Sequence, residues 1–121
     1  MSNPHGWIGV DLDGTLAKYD TWKGITHIGA PIPRMVRRVK RWLAAGVNVR
    51  IFTARIAPGE GGDRTLDIAA FRVVLEEWCL KHLGQALPVT CTKDFDMKEL
   101  WDDRAVQVEF NTGKRVGARR R

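Results

Sequence analysis

Apolar residues along the chain fall into short strand-like runs separated by stretches with helical periodicity. Residues 7–10 form an unbroken apolar run, which is typical of a buried central strand. From residue 35 to residue 43, apolar side chains recur at helical spacing, which predicts a helix that begins at Pro33 and ends at Gly46. Residues 47–52 are rich in β-branched side chains and predict a second strand.

The second half of the chain repeats this order of strand and helix. Asp63 is a residue type that caps helices, and the pattern after it predicts a helix ending near residues 81–82. Residues 88–91 predict a short third strand near an edge, and residues 100–103 a fourth. Residues 105–108 are a candidate for a further strand. Strands that alternate with helices indicate an α/β fold with a parallel sheet and helices on its faces.

The composition is that of a folded domain. The chain has 121 residues, of which 44% are apolar and 28% are charged, and this length suits one domain. No apolar run approaches the ~20 residues that cross a bilayer, and the polar N-terminus lacks the pattern of a signal peptide. We therefore expect a cytoplasmic protein without a membrane partner. Two cysteines without CxxC spacing favour a reduced compartment and do not suggest a zinc site.

The positive charge is concentrated at the C-terminus. The net charge is +6, but five cations without an acid lie in residues 114–121, and the remainder of the chain carries only +1. A short basic end is more often solvated than bound to nucleic acid. We therefore divide the chain into a folded domain at residues 1–113 and a basic tail at residues 114–121.

Reactive side chains follow the predicted strands. They are Asp11 after the first strand, Thr53 after the second, Lys93 after the third, and Asp102 and Asp103 after the fourth. Ligands of open parallel sheets bind outside the carboxyl ends of the strands. We therefore expect these side chains to share one edge of the sheet.

The segment after the first strand carries the most specific pattern. Asp11 and Asp13 lie two positions apart, and two such carboxylates repel each other unless a cation or a proton lies between them. Hard oxygen ligands without neighbouring Cys or His favour magnesium. Gly14 allows the backbone to turn sharply, and Thr15 can hold that turn by a local hydrogen bond.

Four motifs together resemble those of the haloacid dehalogenase-like (HAD) phosphohydrolases. Residues 10–16 are similar to the family's first motif, and residues 52–55, Phe-Thr-Ala-Arg, to the second. Lys93 resembles the lysine of the third motif, and residues 101–105 resemble the acidic fourth. The motifs follow the family order and span residues 8–106. The resemblance implies a Rossmann-like three-layer sandwich with a mostly parallel central sheet and, given the short connections, no cap domain or a minimal one.

The resemblance also implies catalytic roles. Asp11 would attack phosphorus and form an aspartyl-phosphate. Asp13 would protonate the leaving oxygen and then activate the hydrolytic water. Lys93 would neutralise charge on the nucleophile and the phosphoryl group, although Lys98 is a rival for this role.

Magnesium is the implied cofactor. The resemblance assigns it to Asp11, to the backbone carbonyl of Asp13 and to the carboxylate of Asp103. Asp102 would assist catalysis around the ion, either by orienting a ligand or through a water molecule. Which of Asp102 and Asp103 binds the ion directly remains open on the sequence alone.

The second motif would bind the phosphate group. The resemblance implies that the Thr53 hydroxyl and the backbone N–H of Ala54 donate hydrogen bonds to phosphate oxygens. Arg55 is similar to an arginine in the phosphatase domain of phage polynucleotide kinases, where a guanidinium could grip a substrate phosphate. It could equally pair with Asp63, Glu60 or solvent.

These residue types have structural uses as well. Asp11 and Asp13 could hold a turn, Thr53 could cap one, and Lys93 could be a surface lysine. Trp22 lies in the irregular segment after the nucleophile, where it could contact a substrate or pack the loop.

Three functions are consistent with these observations. The first is a magnesium-dependent phosphomonoesterase acting through Asp11. The second is a nucleotide or nucleic-acid 3′-phosphatase, suggested by Arg55, the basic tail and the missing cap. The third is a non-catalytic module that binds phosphate or a partner. The expected partner is a phosphorylated small molecule or nucleic-acid end, and an oligomeric neighbour is one means of completing a site that lacks a cap.

Overall fold

A four-stranded parallel sheet with two helices organises the chain in a computed structural model that describes residues 4–59 and 61–117. In chain order the elements are β1 (Trp7–Asp11), α1 (Pro33–Ala44), β2 (Val49–Phe52), a short 3-10 turn (Ala54–Ile56), α2 (Thr65–Leu83), β3 (Val89–Thr90) and β4 (Met97–Trp101). The sheet order is β3-β2-β1-β4, and every pairing is parallel. The expected α/β class and parallel sheet are therefore confirmed.

Each helix end lies within two residues of the position that the sequence predicts. Pro33 occupies the first turn of α1, where its missing N–H costs no hydrogen bond. Helix α2 ends at Gly84, which has a φ of 87° in the left-handed region that glycine adopts without strain. Asp63 accepts a hydrogen bond from the Thr65 N–H at 2.9 Å, although the capping position itself is Arg64.

The main core lies between the helices and one face of the sheet. Alternate residues of a strand point to the same face, and Val10 of β1 and Ile51 of β2 share this face. They form a single buried cluster with Val39 of α1 and with Phe71 and Leu75 of α2. Since β1-α1-β2 and β2-α2-β3 progress in the same direction across the sheet, both crossovers place their helices on the same side.

The opposite face is covered by a connection rather than by a helix. Trp7 is fully buried there, with the guanidinium of Arg50 4.4 Å from its ring centre. Asp94 accepts a hydrogen bond from Trp7 Nε1 at 2.8 Å and pairs with Arg50 at 3.4 Å. The β3–β4 connection therefore crosses this face as residues 91–96. Both helices of the described residues pack on the other face, so the helical third layer expected from the resemblance is absent from this face in the described residues.

The C-terminal part departs from the predicted strands. Strand β4 begins at residue 97, earlier than predicted, and ends at Trp101, so that Asp102 and Asp103 lie just past it, as expected. The strand predicted at residues 105–108 is wrong, because this segment has only an isolated bridge between Val108 and Arg115. Its alternating valines resemble a strand, but Val106 and Val108 are both more than half exposed and bury no common face. The basic tail falls partly outside the described residues.

No helix in the described part of the chain is both long enough and apolar enough to cross a membrane.

Candidate active site

Three neighbouring strands end at one edge of the sheet and deliver the predicted side chains to it. Asp11, the last residue of β1, is paired in register with Phe52, and Val10 is paired with Trp101. The ends of β2, β1 and β4 are therefore level. A cavity of about 460 Å³ opens at this edge, and six of the predicted site residues line it: Asp11, Asp13, Thr53, Ala54, Arg55 and Asp103.

Three carboxylates converge beside this cavity. Asp11, Asp102 and Asp103 each offer an oxygen atom, and these atoms lie within 4.8 Å of one another. The pKa of Asp11 is raised from 3.8 to about 7. Burial is the largest cause, and a hydrogen bond with Asp103 and the negative charges of Asp102 and Asp103 also contribute. A cation among these oxygens would offset their repulsion.

Thr15 joins the turn after β1 to the end of β4. Its hydroxyl lies 3.3 Å from Asp11 Oδ2 and 3.1 Å from Asp103 Oδ1, and it accepts the Asp103 N–H at 3.0 Å. Because a hydroxyl has one hydrogen, it can donate to only one of these carboxylates at a time. Thr15 thus fixes the distance between the two strand ends that carry the acids.

Gly14 permits the close approach of these strand ends. Its φ is 92°, and a Cβ atom at this position would lie 2.8 Å from Asp103 Oδ2. Both the backbone conformation and the contact therefore favour glycine. The turn is closed by the Gly14 N–H, which donates to the carbonyl of Ala17 at 2.8 Å.

The donor set suits a divalent cation that prefers oxygen. The cluster contains only carboxylate oxygens, which are the ligands that magnesium favours. Asp11 and Asp103 belong to it, as the sequence predicts, and Asp102 also contributes an oxygen to the cluster. The carboxylate of Asp13 is not a member of this cluster, and a contribution from its backbone carbonyl stays a prediction.

Asp13 is held by Arg55 in a two-point ion pair. Arg55 Nε donates to Asp13 Oδ2 at 2.9 Å, and Nη2 donates to Oδ1 at 2.7 Å. The third guanidinium nitrogen, Nη1, donates to the carbonyl of Ile25 at 3.0 Å. The side chain is 5% exposed and lies against the rings of Trp22 and Phe71. All three nitrogens of the guanidinium therefore have protein acceptors.

This pairing differs from the partners considered for Arg55 on the sequence. Asp63 hydrogen-bonds Thr65 instead, burial separates the guanidinium from bulk solvent, and Glu60 lies outside the described residues. A two-point grip on a substrate phosphate would require Arg55 to leave Asp13.

Thr53 caps the 3-10 turn and also lines the cavity around Asp11. It is 2% exposed, and its hydroxyl oxygen accepts the Arg55 N–H at 3.1 Å, which caps the 3-10 turn. An accepting hydroxyl retains its own hydrogen, so that Thr53 can still donate one hydrogen bond toward the cavity. The backbone of Ala54 lies beside it at the start of the turn.

The predicted lysines lie apart from this cavity. Lys93 and Lys98 are both exposed, and neither lines the cavity around Asp11. Lys98 lies in the first half of β4, toward the opposite edge of the sheet. The additional cations that do line the cavity are Arg64 and Arg104.

Sequence reasoning missed these two arginines. Arg64 packs along the turn, where it donates to the carbonyls of Ala57 and Arg55. Arg104 follows the strand-end acids directly, and its N–H donates to Asp102 Oδ1 at 2.8 Å. The adjacency of Arg104 to the acidic motif was the available signal, whereas the position of Arg64 depends on how the loop folds back.

The segment between β1 and α1 forms a wall of the site. Ala17 and Pro31 form a bridge, and Trp78 Nε1 donates to the Gly29 carbonyl at 3.0 Å, so that the base of this loop is anchored. A second cavity of about 700 Å³ lies under the loop. It shares Asp13 and Tyr19 with the cavity around Asp11.

The raised pKa of Asp11 predicts how stability changes with pH. Without a metal ion, the protonated carboxyl is favoured in the folded state, so this group's contribution to stability is complete below pH 3.8 and is lost as the pH rises through about 7. Asp11→Asn should therefore melt at a higher temperature than the parent in chelator near pH 8, by a margin that shrinks near pH 5.

Thermal melts across this pH range measure the effect, with the exposed Glu76→Gln as the control carboxylate substitution. Magnesium should raise the melting temperature of the parent near pH 8 more than that of Asp11→Asn, because the ion stabilises the folded state to which it binds. A margin that stayed constant with pH would contradict the proposed electrostatic origin.

Comparisons with protein-family models, with curated proteins and with solved structures found no match for this chain. The geometry of the site therefore carries the functional argument.

Proposed function

We propose that this chain is a magnesium-dependent phosphomonoesterase of the HAD-like type, with Asp11 as the nucleophile. The observation that carries this proposal is the convergence of Asp11, Asp13, Thr53 and Asp103 on one cavity at the carboxyl edge of a parallel sheet. These residues come from motifs distant in the chain. Their order matches the family whose motifs they resemble, and a Rossmann-like HAD domain with a minimal cap is the corresponding fold.

Magnesium fits the acidic cluster. Asp11 and Asp103 would hold it together with the backbone carbonyl of Asp13, and Asp102 would act from the same cluster. When bound, the ion would offset repulsion between the carboxylate nucleophile and the phosphate and polarise the phosphoryl oxygens.

The protein's own groups account for both chemical steps. An Asp11 oxygen attacks phosphorus, the bond between phosphorus and the ester oxygen breaks, and Asp13, which enters this step in its protonated form, delivers the proton to the leaving oxygen. Water then attacks the phosphorus of the aspartyl-phosphate and loses its proton to Asp13. Inorganic phosphate leaves, and the Asp11 carboxylate is restored.

Arg55 is a positioning residue for Asp13 in this scheme. Its two donors fix the plane of the carboxylate at 2.7 and 2.9 Å. Each carboxylate oxygen keeps a second lone pair, so Asp13 can exchange a proton with the leaving group while the pair is intact. The ring contacts and burial of Arg55 hold this arrangement in a single orientation.

Backbone and hydroxyl groups are the proposed ligands of the phosphoryl oxygens. Thr53 can donate its hydroxyl hydrogen, and the N–H of Ala54 lies at the start of the 3-10 turn. Arg104 lines the same cavity and is the proposed neutralising cation there. The role of Lys93 remains a prediction from the resemblance. For Lys93 to reach the cavity, the connection at residues 91–96 would have to move.

Phosphate release tests the proposal directly. Purified protein with magnesium should hydrolyse members of a panel of nucleotides, sugar phosphates and an aryl phosphate. Asp11→Asn should lower kcat by at least about 10³-fold, because the variant lacks the attacking oxygen. Glu76→Gln serves as the control, and circular dichroism checks that the variants fold. Turnover by Asp11→Asn at the parental rate would exclude Asp11 as the nucleophile.

The leaving group tests the role of Arg55. Arg55→Lys keeps the charge but loses the two-point geometry, and we expect a fall in kcat of about 10–100-fold for an alkyl phosphate. The fall should be smaller for a nitrophenyl phosphate, because a good leaving group needs less protonation. Asp13→Asn should show the same dependence on the leaving group.

Arg50→Lys provides the matched control, since Arg50 is an ion-paired arginine on the other face of the sheet. It should leave the dependence on the leaving group unchanged. An equal loss of kcat for both esters in Arg55→Lys would mean that Arg55 supports the fold without positioning Asp13.

A further inference from the structure

Two exposed aromatic side chains stand at the cavity that contains Asp11. Tyr19 is 50% exposed and Trp22 is 54% exposed, and both line this cavity. Other exposed aromatics, such as Phe95 and Phe110, do not line it. Large aromatic groups left in solvent beside a polar cavity are typical of a binding surface.

The Trp22 ring is held in place from one side. The guanidinium carbon of Arg55 lies 5.0 Å from its ring centre, and Arg55 is itself fixed by Asp13. The partial exposure of the ring leaves aromatic surface available to a ligand. The aromatic surface is thus linked through one buried side chain to the carboxylate that would protonate the leaving group.

The position of Tyr19 indicates where the leaving group lies. Tyr19, Asp13 and Arg55 line both the cavity around Asp11 and the adjoining cavity of about 700 Å³, whereas Asp11 lines only the first. A phosphoryl group at Asp11 would therefore place its leaving group past Asp13 and beside Tyr19. A volume of several hundred Å³ accommodates a ligand larger than the phosphate alone.

The chemistry of this second cavity favours a polar leaving group that also has an aromatic face. Lys18, Lys23 and His27 line it together with Tyr19, so that it offers hydrogen-bond donors as well as a ring. A nucleobase stacks on aromatic side chains regardless of its identity, because every base has a π-face. A sugar phosphate without a base would leave Tyr19 and Trp22 in solvent.

We propose that the Tyr19–Trp22 surface binds the base of a nucleoside, and that the substrate is a nucleoside phosphate. This inference rests on the proposed phosphomonoesterase function and names its substrate class. In the reaction, the bond between phosphorus and the nucleoside oxygen breaks, and that oxygen receives its proton from Asp13. The products are a nucleoside hydroxyl, free or at a strand end, and inorganic phosphate.

A ratio of specificities tests the proposal. The parent should have a kcat/KM for adenosine 5′-monophosphate or 3′-monophosphate at least about tenfold above that for ribose 5-phosphate, and Trp22→Ala should lower this ratio by about tenfold. Trp22→Phe should retain most of it, because a ring remains. The ratio cancels any general effect of the substitution on Arg55 and Asp13.

Phe110→Ala is the matched control, since Phe110 is 86% exposed and lies outside both cavities. It should leave the ratio unchanged. A parent without preference for nucleotides, or an equal loss for both substrates in Trp22→Ala, would overturn the proposal. A 3′-phosphorylated oligonucleotide cleaved better than the 3′-mononucleotide would identify a strand end as the source of the nucleoside, and equal or poorer cleavage would identify the free nucleotide.

Calorimetry separates this inference from the proposed catalysis. If no ester is hydrolysed, tighter binding of adenosine monophosphate than of ribose 5-phosphate, lost in Trp22→Ala, would support the base-binding surface while the phosphatase proposal fails. Equal affinity for the two ligands, or no binding of either, would overturn the base-binding surface as well.

Discussion

The proximity of three carboxylates at the end of the central strand is the constraint on which the site depends. Asp11, Asp102 and Asp103 would repel one another in any arrangement without a proton or cation, and the pKa of Asp11 is raised to about 7 as a result of burial and this proximity. The sheet nevertheless holds them together, since Val10 of β1 pairs with Trp101 at the end of β4, and Thr15 and Gly14 join the two strand ends. The favourable free energy of the β1–β4 pairing therefore offsets the repulsion among these three carboxylates.

Next to this cluster, the opposite charges of Arg55 and Asp13 neutralise each other inside the protein. Arg55 and Asp13 satisfy each other at 2.7 and 2.9 Å, so Asp13 does not add to the repulsion among the other acids. The same guanidinium supports the Trp22 ring and packs on Phe71 of the core. One buried side chain therefore connects the hydrophobic core, the proposed proton donor and the loop that would contact the leaving group. If the proposed function holds, this connection would help to exclude water and to orient the ester.

The parallel sheet and the strand ends were predicted well from the sequence, because few other folds are compatible with unbroken apolar runs that alternate with helices. The placements of Asp11, Thr53 and Asp103 follow from that sheet. The partner of Arg55 could not be predicted, because it depends on the path of a loop rich in glycine and threonine. Lys93 was predicted from its order in the chain, but residues 91–96 turn across the back of the sheet, where Asp94 meets Trp7 and Arg50. Tyr19 and Arg64 carried no periodic signal, since both lie in irregular segments.

Chemical trapping of the aspartyl-phosphate tests whether Asp11 is the nucleophile. The protein would be mixed with magnesium and a reactive small phosphate donor, quenched with borohydride, and mapped by peptide mass spectrometry. Borohydride reduces an acyl phosphate to an alcohol, so we predict conversion of Asp11 to homoserine, dependent on both the donor and magnesium. Conversion at Asp13, Asp102 or Asp103 in place of Asp11, or no conversion during demonstrated phosphate release, would contradict it.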